Sequence, residues 1–397
     1  MDRIPDGFVP MLEEAVGQDN ARTVLEALAS APSVSVRLNP SKLKELPFEG
    51  GERVPWSPYG FVLSERPVFT LDPLFHAGCY YVQDSSAMFV GEVFRRALKS
   101  PVPESGMTGG GTKVKAPLAV LDLCAAPGGK TTDIAASLRE ACGDGFVVVA
   151  NEVMKARLGA LRTNVAMWGD DRVGVVSKDP GAFPKVPLFD IIVADVPCSG
   201  EGMFRKDEKA VEEWSERTVD FCAARQRRIV SDIWPALKPG GVFVYSTCTF
   251  NRRENDGNVR WIADELGAEV VDLGDVCGVF RTECGYALLP GLVPGEGQYA
   301  AMLIKDGDFS GRTGDVMKEV GAVSPVEMLP DVPGIGLSLE DALRYLHGDV
   351  LVLPDAPKGL LRMMYKGQVL GLAKNVGTRC NNLYPKDRRI RMDINRR

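Results

Sequence analysis

Two cysteines close strand-like runs in this chain: Cys198 in Asp195-Val196-Pro197-Cys198, after the apolar Ile191-Ile192-Val193-Ala194, and Cys248 in Tyr245-Ser246-Thr247-Cys248. A cysteine thiol ionises near neutrality and attacks carbon well, so two of them at strand ends point to covalent catalysis. Either one alone would read more simply as a small buried hydrophobe. Upstream, Asp122 lies near the end of another apolar run. The turn Cys124-Ala125-Ala126-Pro127-Gly128-Gly129-Lys130 follows it. Its glycines let backbone approach a ligand just before a helix begins. The turn matches neither GxGxxG nor GxxxxGK[ST], and by itself it could simply join strand to helix. One strand–helix step later comes Asn151-Glu152, where this kind of fold hydrogen-bonds a ribose. Asp179 closes the next strand and suits an adenine amino group. A helix-entry acid and a solvated turn aspartate are the plain alternatives for these two. Three strand-end features in register favour an adenosine-containing cofactor.

These residues need a frame, and residues 117–306 supply one by alternating strands and helices. Strands are expected at 118–123, 146–151, 173–177, 191–196, 241–247, 269–273 and 300–304, and helices at 131–141, 155–168, 216–237 and 255–266. Lys238-Pro239-Gly240-Gly241 reads as a helix stop and turn, and Asn251 with Glu254 as a capping arrangement. The pattern predicts an α/β fold with a doubly wound, Rossmann-like sheet. Residues 1–100 read as a small α/β domain with a helix over 10–29 and a strand over 34–38. Residues 101–116, rich in Pro, Gly, Ser and Thr, read as a linker. Residues 307–397 read as a small, mostly β domain. It would hold a helix at 338–346 and strands at 350–353, 362–365 and 368–372, with Lys366-Gly367 as a hairpin turn.

Bulk properties narrow the options. The 397 residues carry 45% hydrophobic and 25% charged side chains, enough for two or three domains with their own cores. Nine cysteines are scattered singly, which argues against a disulfide framework, and only two histidines are present, which leaves a zinc site short of ligands. No run is apolar enough to span a bilayer and no secretory signal opens the chain, so a cytoplasmic location is expected. A net charge of −6 excludes a wholly basic, non-specific nucleic-acid binder but leaves local RNA contacts possible.

Taken in order, these motifs closely resemble the Sun-type RNA cytosine-5 methyltransferases, and among them the RsmF-like enzymes of small-subunit ribosomal RNA. The matching segments are 121–130, Asn151-Glu152, Asp179, 195–206 and 245–249. Val36-Arg37-Leu38-Asn39-Pro40 and Asn381-Asn382-Leu383-Tyr384-Pro385-Lys386 match as well, so the likeness spans nearly the whole chain. The resemblance implies that residues 124–130, Glu152, Asp179 and Asp195 bind S-adenosylmethionine. It implies that Cys248 is the nucleophile, that Cys198 assists product release, and that Lys130 and Asp195 also contact the target base. It further implies an RNA-recognition fold in the first domain and an RNA-binding PUA-like module in the third. The RNA partner would be 16S ribosomal RNA or the small subunit, with no metal and no membrane, and a monomer is the default oligomeric state. Two departures stand out: Asp-Val-Pro-Cys replaces the commoner Asp-Ala-Pro-Cys, and residues 292–299 lack the His and paired aromatics often found around Gly-Glu-Gly.

The chemistry explains the residue types. Carbon-5 of cytosine is a poor nucleophile until a thiolate adds at carbon-6. A donor near ring nitrogen-3 then offsets the developing charge, and Asp195 could act there only if protonated or sharing a proton. The target base must also be unstacked. Arg37, Phe204, Arg205 and Lys206 are candidates for holding the flanking RNA. Competing readings are the same chemistry on transfer RNA, a DNA cytosine methyltransferase with Cys198 as attacker, and a non-catalytic RNA-binding assembly factor on this scaffold.

Overall fold

The computed structural model describes residues 4–99, 117–276, 278–311, 313–327 and 329–394. The expected linker at 101–116 lies outside them. The first element is not the single helix expected over 10–29 but two, α1 (Phe8–Val16) and α2 (Gln18–Leu28). Gly17 separates them at φ 81° and ψ 159°, a backbone that continues neither helix. Both helices bury apolar side chains in the core of the central sheet, where the Phe8 ring lies 5.1 Å from Phe204 and 5.7 Å from Trp214. Strands β1 (Val34–Leu38), β2 (Gly51–Arg53), β3 (Gly60–Leu63) and β4 (Tyr80–Val82) form an antiparallel sheet in the order β2-β3-β1-β4. Helix α3 (Pro73–His76) precedes β4. Helix α4 (Phe89–Ala97) leaves this sheet and packs Phe89, Val93 and Phe94 against the central one.

The central sheet begins with β5 (Leu118–Asp122), α5 (Gly129–Cys142), β6 (Phe146–Asn151), α6 (Lys155–Trp168), β7 (Val173–Val176) and β8 (Phe189–Asp195). Then come α7 (Glu208–Glu213), α8 (Glu216–Ile233), β9 (Leu237–Thr247), α9 (Asp256–Leu266), β10 (Ala268–Val270), β11 (Phe280–Arg281), β12 (Tyr286–Leu288) and β13 (Gln298–Lys305). The spatial order is β11-β12-β13-β9-β8-β5-β6-β7, with β10 paired to β13. Strands β5 to β9 run parallel, and the chain order reverses at β5. That reversal is the switch point beside which open α/β sheets bind ligands. The doubly wound, Rossmann-like expectation holds. Its strands are buried on both faces, which is why β8 reads as a continuous apolar run.

Two local readings change. The turn expected at 238–241 is a bulge inside β9: pairing with β8 jumps from Phe189↔Leu237 to Ile191↔Val242. Buried Lys238 is held there by Asp190, Nζ to Oδ1 at 2.7 Å. The helix expected through 237 ends at Ile233, where Trp234-Pro235-Ala236 tightens into a short 3₁₀ turn. Strand β13 runs antiparallel to β9 with Tyr299 opposite Thr247, so Gln298 arrives at the end of the strand that carries Cys248.

The C-terminal module contains α10 (Val316–Val320), β14 (Gly334–Gly336), α11 (Leu339–His347), β15 (Gly359–Tyr365), β16 (Gln368–Asn375) and β17 (Cys380–Asn382). Its sheet order is β14-β15-β16-β17. Lys366 and Gly367, at φ 47° and 78°, give the hairpin turn the primed geometry that matches strand twist. Residues 350–353 form no strand, only a single bridge from Leu351 to Cys380. This module shares one apolar core with the N-terminal sheet, joining Val36, Leu38 and Phe61 to Leu343, Tyr345 and Met363. Among the described residues no helix is long and apolar enough to cross a membrane.

Candidate active site

The two cysteines meet. Cys198 Sγ lies 3.2 Å from Cys248 Sγ, at the adjacent ends of β8 and β9. Cys198 is pushed well above the usual thiol range by that hydrogen bond and by burial. The two sulfurs are within hydrogen-bond reach of each other, and either can be the donor. Beside them Lys130 Nζ pairs with Asp195 Oδ2 at 2.8 Å. Burial opposes the charge on Lys130, but the Asp195 carboxylate overcomes it and raises the lysine pKa, with a further contribution from Cys248. The other oxygen of Asp195 accepts from Ser246 Oγ at 2.7 Å and Gln298 Nε2 at 3.0 Å. Fixed by three donors, Asp195 is an acceptor, and Lys130 is the cation of the pair.

Buried carboxylates hold the two cysteine loops from behind. Glu201 accepts from Trp214 Nε1 (3.0 Å), from the backbone of Phe250 (2.6 Å) and Asn251 (3.1 Å), and from Asn251 Nδ2 (2.9 Å). Glu254 accepts from Ser199 N (3.0 Å), Gln226 Nε2 (2.7 Å) and Asn251 Nδ2 (2.8 Å), and burial pushes its carboxyl up to about 7. Asn251 does cap Glu254, accepting its backbone N–H at 2.9 Å. The Glu254 side chain, however, turns inward to the Cys198 loop instead of back onto the helix, which starts at Asp256. Gly202 N donates to Cys248 O at 2.8 Å and ties the loops directly.

The turn 124–130 occupies the neighbouring strand end. Gly128 opens α5 at φ 110°, a conformation that favours glycine. Ala125 N bonds Asn151 O at 2.8 Å, and Asn151 Nδ2 bridges Leu123 O and Lys178 O at 3.0 Å each, so three strand ends are tied together. Asp122 is fully buried; it accepts from Thr131 Oγ1 at 2.6 Å, and its second oxygen has no partner among the described groups. Burial pushes its carboxyl up to about 7. The Cys124 thiol is raised by burial and by Asp122, Asp195 and Glu152 around it. Asp122, Glu152 and Asp195 thus gather near this turn as carboxylates that can accept from ribose hydroxyls or face a positive centre. Glu152 Oε1 accepts from Met154 N at 2.7 Å, and Oε2 lies 3.6 Å from Arg157. Asp179 stands apart: it is exposed, caps a 3₁₀ turn through Gly181 N at 3.0 Å, and lies 3.8 Å from Arg228.

Three of the four residues proposed to hold flanking RNA do something else. Arg37 is wholly buried, Phe204 packs on Phe8 and Trp214, and Arg205 pairs with Glu296 at 2.5 Å. Lys206 is partly exposed and bridges Asp84 at 3.0 Å and Glu296 at 3.5 Å. Their motif positions were visible in the sequence, but an inward-facing Arg cannot be told from an RNA-facing one without the fold. Gln298, Glu201 and Lys42 carry important contacts that sequence reasoning missed. Only the Gly-Glu-Gly turn before Gln298 offered a signal.

Residues 114–303 match the family described as 16S rRNA methyltransferase RsmB/F. Residues 4–85 match the N-terminal domain of 16S rRNA methyltransferase RsmF, and residues 333–390 match the methyltransferase RsmF PUA domain. Together the three matches cover most of the chain, and each describes an RsmB/F-type methyltransferase. Ribosomal RNA small subunit methyltransferase F of Pectobacterium atrosepticum is 36% identical over 270 residues, 64% of this chain and 51% of that protein. The protein of the same name from Escherichia coli (strain SMS-3-5 / SECEC) is 32% identical over 323 residues, 76% of this chain and 63% of that one. The chain thus spans about half to just under two thirds of these relatives. Among solved structures, a methyltransferase homolog from Pyrococcus horikoshii superposes with TM-score 0.58 at 25% identity, over 75% of this chain and 93% of that one. NSun6 from the same organism gives 0.61 at 20% identity, over 77% and 99%. The family match accounts for the Rossmann-like sheet flanked by a small α/β module and a PUA module.

Proposed function

We propose that this chain transfers a methyl group from S-adenosylmethionine to carbon-5 of a cytidine in RNA, in 16S ribosomal RNA, through a covalent cysteine–cytosine adduct. The observation that carries this reading is the thiol pair at 3.2 Å beside the Lys130–Asp195 pair, all four at one strand edge. Residues 124–130, Glu152, Asp179 and Asp195 would hold the cofactor, which supplies an electrophilic methyl group when bound. Cys248 adds through sulfur to carbon-6, and the ring electrons it displaces make carbon-5 nucleophilic. Lys130 offsets the negative charge that builds on the ring, while Asp195, fixed as an acceptor, is suited to the exocyclic amino group. That division answers the requirement that Asp195 be protonated: the adjacent cation takes the donor role. After methyl transfer the carbon-5 proton is lost to a base, the ring double bond re-forms and the Cys248 thiolate leaves, with the Cys198 thiol 3.2 Å away to assist its release. The N-terminal and PUA modules, sealed by their common core, would present one continuous RNA-facing unit in the cytoplasm.

The test is to incubate the chain with labelled S-adenosylmethionine and, in parallel, 16S ribosomal RNA, assembled small subunits and transfer RNA. Label recovered as 5-methylcytidine from the ribosomal substrates supports the reading. Label confined to transfer RNA moves the substrate, and no label anywhere, despite measurable cofactor binding, favours a non-catalytic assembly factor.

A further inference from the structure

The N-terminal sheet sends three polar side chains of a single short stretch into the catalytic domain. Arg37, Asn39 and Lys42 each have at least one hydrogen-bond partner on α5 or α6. Lys42 Nζ donates to Met167 O at 2.6 Å and Ala77 O at 2.7 Å, and Asn39 Nδ2 donates to Trp168 O and Gly78 O at 3.0 Å each. These two cap the carbonyl end of α6, where a cation is electrostatically favoured. They join the two domains at the C-terminal end of α6.

Arg37 does something different. Its NH2 donates to Gly129 O at 2.9 Å and to Thr132 Oγ1 at 2.6 Å, and its Nε donates to Gln83 Oε1 at 2.8 Å. Gly129 belongs to the turn itself, and Thr132 in turn donates to Gly128 O at 2.9 Å. The guanidinium is entirely buried, stacks 4.6 Å from the Trp168 ring, and has Asp133 Oδ2 3.8 Å away. A planar fork that bonds a backbone carbonyl and a side chain while stacked on an aromatic ring has a fixed orientation, unlike an ammonium on a flexible stem. It is also costly to bury, and Arg37 NH1 is left without a hydrogen-bond partner. An apolar side chain would seal a domain junction at less cost, so the retained charge calls for a role beyond sealing.

We propose that Arg37 is a positioning residue for the cofactor: from the N-terminal domain it fixes the 127–130 turn at the start of α5 in the conformation that receives S-adenosylmethionine. The proposal rests on the cofactor reading above and extends it to the domain otherwise assigned to RNA. In this arrangement the N-terminal domain is part of the cofactor site's support, so separating it from the sheet weakens cofactor binding before any RNA is present. A Cβ at Gly129 would lie 3.3 Å from Tyr81 and 3.5 Å from Gln83, so side chains of the N-terminal domain pack directly against the turn.

The test compares R37K, R37Q and K42M in the full chain. Calorimetry with S-adenosylmethionine and S-adenosylhomocysteine gives affinity, thermal melts give stability, and amide hydrogen exchange over residues 128–133 reports the turn without ligand. Expected for R37Q is a cofactor Kd raised at least ten-fold, with faster exchange at 128–133. R37K, which keeps charge but loses the fork, is expected to fall between R37Q and the unchanged chain. If R37Q does not fold, R37K alone carries the test through its Kd and exchange. K42M is expected to lower the melting temperature while keeping Kd within about two-fold. With RNA saturating and cofactor varied, R37K is expected to raise the cofactor KM and leave kcat within about three-fold. Equal Kd values for R37K, R37Q and the unchanged chain, with only the melting temperature lowered, would overturn the proposal. Absence of cofactor binding by the unchanged chain would instead overturn the cofactor reading.

Discussion

The two halves of the candidate strand edge are built on opposite plans. On the cysteine side, β8 and β9, the buried acids are saturated: Glu201 accepts four hydrogen bonds and Glu254 three. On the cofactor side, β5 to β7, acceptors are left over, with one Asp122 oxygen unpartnered and Asp179 exposed. Saturation fixes geometry, as the proposed reaction between a sulfur and a ring carbon requires. Spare acceptors keep a place for a ligand that arrives with its own donors. Damage to the first half should therefore fall on turnover and folding, and damage to the second on cofactor affinity.

The sharpest way to break that contrast is Cys248→Ala, for which turnover should fall about 10⁴-fold or more while cofactor Kd stays within about two-fold. Single-turnover methyl transfer and calorimetry on the same sample check both halves of that statement. Glu201→Ala should be next. Removing an acid that serves four buried donors is expected to cost about 3–5 kcal/mol of stability, read from denaturant melts. A cost below about 1 kcal/mol would mean that the network behind the cysteines is not what holds them.

Asp122 tests the cofactor half through pH. Its folded pKa of about 7 lies above the ordinary carboxyl value, so its contribution to stability is complete below about pH 4 and is lost as pH rises through about 7. Asp122→Asn lacks that loss and can still accept from Thr131. The variant should therefore gain stability over the unchanged chain on going from pH 5 to pH 8, by on the order of a few kcal/mol at most. Thermal melts across that range check the sign, and a gain that shrinks toward pH 8 would reverse the assignment. The smallest effect is expected for Asp179→Ala: cofactor Kd raised by no more than about ten-fold, with kcat at saturation unchanged.

What the sequence disclosed follows from these two plans. Strand ends in a parallel sheet are announced by apolar runs followed by Gly, Pro or acid, so the C-terminal ends of β5 to β9, where the candidates from Cys124 to Cys248 sit, could be placed within a residue. The partners of those residues could not. Gln298 reaches Asp195 only because β13 inserts antiparallel beside β9, and no local pattern encodes that insertion. The Gly17 break and the Lys238–Gly241 bulge went unread for a related reason. Glycine signals a turn without saying whether the chain afterwards leaves the element or resumes it. Arg37 was misjudged because a charge beside an aromatic-rich loop suits RNA as well as it suits a buried stack on Trp168.

The central claim is that Cys248, not Cys198, bonds to the base. RNA carrying 5-fluorocytidine at the target position cannot release a fluorine as it would a proton, so the adduct should persist through a denaturing gel. Mass spectrometry of the trapped peptide is predicted to place the nucleotide on Cys248, with the same yield from Cys198→Ala and none from Cys248→Ala. A nucleotide found on Cys198, or a full yield from Cys248→Ala, would contradict the account.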